Sequence, residues 1–484
     1  MRNVSKNVFL NALTCPVLGW MLRTGEAPKP RLTLGDRFRF AQGREIGRRA
    51  RTLYPDGLMV ADVNLSSAAR KTTDALHSSV PAIFEGAFLA DGFVTRADVL
   101  EQEAEGWHLI EVKSGTNDRM EYIDDMAHTY MVADSCGLKI GGVSLFLVSR
   151  DFRLGMADDA LFTRIDHTDE VLARVEELET IRREIEEITR AEEKPEPQLI
   201  MECRHCDLFR ICVGRGIKNH IFDLPRLSQT RFGELVAHGI VRIEDIPNWF
   251  DLTENQTRVK DCVQCGESYV GEELRTELET IEWPAYYLDF ETMMTAIPLY
   301  PDIAPYTQIP TQYSVHVCSD VGRVIEHREY LADPAGDCRR ELAERLLRDL
   351  GEQGSIIAYS SFENAVINGL AQLFPDLSDA LGALRERIVD LEAIIRRNYY
   401  HPDFHGSTSI KATLPALVSG MSYKGMEIGE GDSASAAFAY LAMGTYWKPD
   451  EVDTVKQNLL KYCKQDTLAM VKLHEKLTDV VKPL

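Results

Sequence analysis

No stretch of this chain runs for about 18 apolar residues without interruption, so no segment reads as a membrane-spanning helix. Positive charge is also in short supply: 54 lysines and arginines stand against 76 aspartates and glutamates in 484 residues, a net charge of −22 at neutral pH. A surface of that sign repels polyanions over most of its area, which excludes general coating of nucleic acid but leaves room for a local groove. Internal repeats and low-complexity tracts are missing as well, which removes solenoid and linker-like architectures. The first apolar stretch is broken by Asn11, Thr14 and Pro16, so a secretory signal is not expected and cytoplasmic residence is. In that setting the ten cysteines are expected as thiols or metal ligands rather than disulfides.

What is present is globular composition, 44% hydrophobic and 27% charged. At about 150 residues per domain the length predicts two to four units, with two large ones the natural division. The first stretch mixes helical and strand patterns and includes the apolar strand Val143–Val148. A helix is expected from Thr168, with Asp169 and Glu170 in its first turn and Val171, Val175, Leu178, Ile181, Ile185 and Ile188 on one stripe. Lys194-Pro-Glu-Pro197 stops it. Residues 216–280 read as a helical connector in which 235–246 has a helix–turn–helix rhythm, and a second α/β region starts at Tyr286.

Two segments of that last region place carboxylates where hydrocarbon is normal. In Tyr286-Tyr-Leu-Asp-Phe-Glu291, strand alternation sends Asp289 and Glu291 to one face and Leu288 and Phe290 to the other. Near the carboxyl end, Leu459, Cys463, Asp466, Met470, Leu473 and Leu477 follow helical steps, so Asp466 occupies a slot in an apolar stripe, with Tyr462 one turn earlier. Buried carboxylates are costly, and a shared divalent cation, Mg²⁺ or Mn²⁺, offsets that cost. Two such ions stabilise both the attacking and the leaving oxygen of a phosphodiester in in-line hydrolysis. Glu363 in Ile356–Asn364 is the candidate fourth acid, with Asp390 as a backup; an acid in a first helical turn capped by Ser361 is the alternative reading of Glu363. Ser409-Ile-Lys411 is a candidate phosphate contact.

A second candidate site lies upstream. Residues 94–100 and 107–113 read as a hairpin joined by Glu101–Gly106; Asp98 lies on the first strand, and Glu111 and Lys113 project from one face of the second. Two acids can hold a cation, and Lys113 can position water or stabilise phosphate. Cys203-Arg-His-Cys206 and Cys212 group three thiols, a pattern open to an iron–sulfur cluster or to zinc with His205 or with Cys262 and Cys265. Six arginines between Arg37 and Arg51 form the strongest basic stretch, with a solvated helix face as its ordinary reading.

Asp98, Glu111-x-Lys113, Asp125, Tyr130, Cys15 in Leu13-Thr-Cys-Pro16 and the cysteine triplet together resemble the RecB-like PD-(D/E)XK nucleases that carry a four-cysteine 4Fe–4S cluster. The resemblance covers residues 1–215 and implies catalytic roles for Asp98, Glu111 and Lys113, with Cys15, Cys203, Cys206 and Cys212 as cluster ligands. Gly47 stands near the place of a metal-binding His in such nucleases, and Glu85 is the acid that could substitute as a ligand. Residues 281–484 resemble DnaQ-like, RNase H-fold exonucleases of the DEDD group: Asp289, Glu291, Glu363 and Asp466 match its acids, and Tyr462 the tyrosine that orients the attacking water. The order of parts resembles a bacterial family that fuses the two nuclease domains. The expectation is a metal-dependent nuclease acting on nucleic acid, trimming single-stranded DNA from the 3′ end, in repair or mobile-element defence. RNA processing, or an iron–sulfur nucleic-acid-binding or sensing protein with a silent amino-terminal site, are the alternatives.

Overall fold

The computed structural model describes residues 3–482, a mixed α/β chain. It divides into two compact units, the first Met1–Gln198 with Thr295–Thr307, the second Leu199–Met294 with Gln308–Leu484. Among the described residues no helix is long and apolar enough to cross a membrane.

The first unit is built on a seven-stranded sheet. Strands Ala82–Ala90, Phe93–Glu103 and Gly106–Val112 follow one another antiparallel, and Ile140–Val148 joins the third in parallel. A parallel pair needs a crossover, which the helix Glu121–Ser135 supplies. The hairpin is tighter than the sequence suggests: Glu103 pairs with Gly106, so the expected six-residue turn contracts to Ala104 and Glu105. The helix Thr168–Arg190 buries Val171, Leu178 and Ile185 in the core under the sheet, as its apolar stripe predicts. Residues 295–307 belong here too. Ala296 joins a small core with Ile46, Val148, Phe152 and Leu161, its N–H donates to Gln42 Oε1 at 2.8 Å, and the Tyr306 hydroxyl donates to the Ser114 carbonyl at 2.6 Å.

The second unit centres on a five-stranded sheet in the order Arg323–Leu331, Ile309–Asp320, Ala285–Met293, Ile356–Ala358, Ile388–Asp390. The first three are antiparallel and the last two pairings parallel. The strand Ala285–Met293 is therefore paired on both edges, and the 33-residue helix Pro449–Val481 packs across it and its neighbour.

Two expectations are corrected here. Residues 199–280 do not stand apart, either as the tail of the first domain or as a connector: Ile221, Phe222, Leu235 and Ile243 share one core with Tyr287, Ile357 and Met470. Hydrophobic residues on short turns find that core without any helical period to announce them. The helix–turn–helix rhythm at 235–246 also fails, because the helix Gln229–Ala237 is followed by a single turn, Ile243–Asp245. Gly239 at φ +70° ends the first helix, and Pro247 stands where a second would have to extend.

Candidate metal centre

The central strand places Asp289 opposite Ser314 and Glu291 opposite Gln312 on the neighbouring strand. Leu288 and Phe290 are buried on the other face, so the period-two alternation read from sequence holds. The long helix is locked against this strand by polar contacts. Gln312 Nε2 donates to the Leu459 carbonyl at 2.9 Å, Ser314 Oγ and Thr467 Oγ1 lie 2.9 Å apart, and the Cys463 thiol lies 3.3 Å from Asp289 Oδ2 as its donor. That register brings Asp466, only 6% exposed, up to the two strand acids. Oxygen atoms of Asp289, Glu291 and Asp466 lie within 4.8 Å of one another, the one such group of metal-ligating side chains among the described residues.

Electrostatics at this spot are adverse without a cation. Burial, then the charges of Asp466, Glu291 and Glu363, push the Asp289 carboxyl well above the usual carboxylate range, against the Cys463 thiol. Burial and Asp466 do the same to Glu291, opposed by the Lys411 ammonium. Burial raises Asp466 to about 6 even though the Tyr423 hydroxyl donates to its Oδ1 and Lys411 lies nearby. Three acids that resist ionisation in the folded chain are a set that a divalent cation would relieve.

Glu363 joins them. It is 3% exposed, its Oε2 has no hydrogen-bond partner, and burial, then Asp390 and Asp466, raises its carboxyl to about 8. It also lies in the first turn of the helix Phe362–Leu373, where a backbone N–H of that turn opposes the rise, so the helix-terminus reading holds alongside its place beside the acids. Ser361 holds the N-cap position without a side-chain bond; Ser360 Oγ accepts from Phe362 N at 3.1 Å instead. Ser360 itself is at φ +118°, a backbone region that side chains other than glycine rarely adopt and that tends to mark functional loops. Asp390, the backup candidate, caps the helix Leu391–Asn398 with Oδ1 accepting from Ala393 N at 2.9 Å, and its charge acts on Glu363.

Tyr462 is buried beside the cluster, where burial and the charges of Asp466, Glu291 and Asp289 keep its hydroxyl protonated. Yet Tyr423, missed in the sequence, makes the hydrogen bond to Asp466. The two rings meet edge to face at 6.1 Å, and Lys411 Nζ lies 5.7 Å from one ring centre and 5.9 Å from the other. Lys411 is thus at the acids.

In the first unit Asp98, Glu111 and Lys113 are also brought together. The hairpin ladder stops at Val99 and Ile110, and Asp98 Oδ2 accepts from Val112 N at 2.8 Å. Burial and then Glu111 raise Asp98 to about 7, with Glu85 a lesser contributor. Glu111 is 4% exposed, but Lys113 Nζ donates to it at 2.9 Å and Lys6 Nζ to both its oxygens at 3.2 Å. Burial would raise its pKa; the two ammoniums outweigh burial and hold it low. Lys113 also bonds Asp125. Lys6 lies 105 residues from its partner and carried no signal in the sequence. A cation entering here must displace it from Glu111. Glu85 sits at φ +55° with its carbonyl accepting from Arg96 Nη1 at 3.2 Å.

The cysteines are all thiols. Cys203 is buried and Cys206 and Cys212 half-buried on successive short turns of the second unit, linked by Cys206 N to Cys203 O at 3.3 Å. Cys15 lies in the first unit, between the helices Lys6–Thr14 and Pro16–Thr24. The basic stretch is a face of the helix Leu34–Thr52, where Arg48 and Arg49 pair with Glu45 and Arg49 also with Asp158.

A family described as Domain of unknown function (DUF2779) matches residues 286–409. That span includes Asp289, Glu291 and Glu363 and ends before Tyr423, Tyr462 and Asp466. No curated protein matches the chain. Among solved structures, the crystal structure of SSO0001 aligns at 12% identity over 41% of this chain and 94% of that one, with a TM-score of 0.16. So poor a superposition carries no argument.

Proposed function

We propose that this chain is a metal-dependent phosphodiester hydrolase whose carboxy-terminal centre trims single-stranded nucleic acid, DNA first and RNA second. The observation that carries the reading is the convergence of Asp289, Glu291 and Asp466 within 4.8 Å, with Glu363 buried beside them and left with an unpartnered oxygen. All-oxygen, carboxylate-rich donors suit Mg²⁺ or Mn²⁺. Bound there, such ions would lower the pKa of a water and neutralise charge on the phosphate. The chain's own residues do the rest. Asp289, Glu291, Glu363 and Asp466 hold the cations, Tyr462 holds the attacking water, Tyr423 fixes the Asp466 carboxylate, and Lys411 meets a phosphate oxygen. The test is hydrolysis of end-labelled DNA and RNA with Mn²⁺, each blocked at its 5′ or 3′ end. Persistence of cutting on 3′-blocked strands alone would refute 3′-end trimming.

Asp98, Glu111 and Lys113 form a second centre in this reading. It requires a cation to replace the Lys6 ammonium. In this reading Cys203, Cys206 and Cys212, carried on short turns, would supply thiolates to an iron–sulfur cluster; their sulfurs do not lie within 4.8 Å of one another as the three carboxylates do. Purified protein is expected to contain iron and acid-labile sulfide, and stoichiometric zinc without iron would refute it.

Tyr423→Phe is expected to leave the fold intact and move the acid limb of the pH–rate profile. Removing a donor to ionised Asp466 raises that carboxyl's pKa, so cations load at higher pH, by roughly half to one unit for one hydrogen bond. An unmoved limb would show that the hydroxyl does not support Asp466.

A further inference from the structure

Away from the metal centre, the second unit contains a cavity of about 560 Å³ whose lining includes Arg226, Arg258, Arg396, Arg397, Tyr400 and Thr408. Four guanidiniums around one hollow are out of character for a chain of net charge −22. They are placed by distinct devices. Arg258 stacks on Tyr269 at 4.2 Å and donates to the carbonyls of Arg396 and Arg397 at 3.3 and 2.8 Å, which closes the end of the helix Leu391–Asn398. The side chains of Arg396 and Arg397 are thereby carried at the rim. Arg397 is held by Glu277, with Nε 3.1 Å from Oε1. Arg226 sits at φ +49°, a conformation uncommon for a side chain of its size.

The internal counter-charge is thin. Arg226 and Arg396 are exposed and make no ion pair among the described residues. Glu254, the acid in the lining, reaches Arg258 at 3.4 Å with its side chain 91% exposed. The helix Glu254–Cys265 presents its positive end to the same hollow, capped by Thr253. Guanidiniums left without carboxylates match phosphate oxygens, which they bind in pairs.

The position of the cavity narrows the ligand. Gly406 bends the chain at φ +75°, where a Cβ would collide with the Asp223 carbonyl, and its N–H donates to the Tyr400 hydroxyl at 3.1 Å. Two residues on is Thr408, in the lining, and three further is Lys411, at the acids. One short segment thus borders both the arginine cavity and the carboxylates.

We propose that this cavity binds phosphate groups of the same nucleic-acid strand whose end lies at Asp289, Glu291 and Asp466, anchoring it away from the scissile bond. The identity of the ligand rests on the nuclease reading; the electropositive lining does not.

The experiment uses the full chain. In EDTA, so that no strand is cut, a fluorescein-labelled single-stranded oligonucleotide is titrated at several salt concentrations. The double variant Arg226→Ala, Arg396→Ala is expected to bind about tenfold more weakly and to flatten the slope of log K against log salt by about 1.4, two contacts at about 0.7 each. Both side chains are exposed and make no ion pair among the described residues, so their loss breaks none, and Arg396→Lys should restore part of the affinity. Unchanged affinity and slope overturn the inference. The nuclease reading is tested separately with Mn²⁺ and a p-nitrophenyl ester of thymidine 5′-phosphate, which has a single phosphate. Its hydrolysis should survive in the double variant and vanish in Asp466→Asn. Loss in the double variant would overturn the remote-anchor role, while equal hydrolysis by Asp466→Asn would overturn the metal centre and leave the binding result standing.

Discussion

Asp289→Asn is expected to abolish Mn²⁺-dependent hydrolysis at the carboxy-terminal centre and, in the same protein without metal, to raise the melting temperature. The first effect should be on the order of 10³-fold, the scale of losing one electrostatic stabiliser of a transition state. The second follows from crowding. Like charges at the separations found among Asp289, Glu291 and Asp466, within 4.8 Å, repel by about 3 kcal/mol per pair at an effective dielectric of about 20. Protonation relieves part of this, and an amide removes one member while keeping the shape of the side chain. Metal should then stabilise the variant less than the parent. Glu111→Ala provides the contrast, because it removes an acid already balanced by Lys6 and Lys113. It should leave the carboxy-terminal activity intact and should not raise stability. If both variants cut as the parent does, the assignment of a nuclease centre to these acids is wrong.

Metal-free protein is also expected to lose stability as pH rises from about 7 to about 8, above the range in which unfolded histidines titrate, with Mn²⁺ restoring more at the upper end. The direction comes from proton counting. Unfolded carboxyls titrate near 4, whereas folded Asp466 titrates at about 6 and Glu363 at about 8. Between those values the folded state holds protons that the unfolded state has released. The stability these acids contribute is therefore full below the unfolded pKa and falls through the window, by about 1.4 kcal/mol per pH unit for each group, until the folded pKa is passed; His128, His220, His316 and His474, held neutral by burial, act in the opposite sense below about pH 7. Asp98, at about 7, adds the same trend in the first unit. Divalent cations bind the ionised carboxylates, so they compete with protons and gain most where protons are scarce. Thermal melts in EDTA and in Mn²⁺ across that range measure both curves. A metal-free melting temperature that is flat or climbs between about pH 7 and about pH 8 would show that these acids are not held protonated by burial.

How much of this was legible beforehand depended on whether a period carried it. Asp289 and Glu291 lie on a strand and Asp466 in a helical stripe, so two- and three-to-four-residue spacings place all three. The helix Thr168–Arg190 was legible for the same reason. Tyr423 was not: it sits 43 residues before Asp466 in a stretch between helices, where no repeat tells which way a side chain points. Lys6 was hidden by distance along the chain. The boundary near residue 215 failed because the turns that follow Gln198 carry scattered hydrophobic residues whose common core becomes visible only in three dimensions. The mixed α/β class was readable throughout, while the depth at which Glu363 is buried was not, since a first-turn acid looks alike in solvent or in a core.

The excursion of residues 295–307 decides how the two halves can be dissected. A clone halted near residue 198 would lack Ala296, which completes the contact set of Ile46 and Phe152, and Tyr306, which closes on Ser114. One begun at residue 199 would carry those residues with nothing native to cover them. Separate expression therefore yields two damaged fragments, and assigning an activity to one half calls for point substitutions in the intact polypeptide.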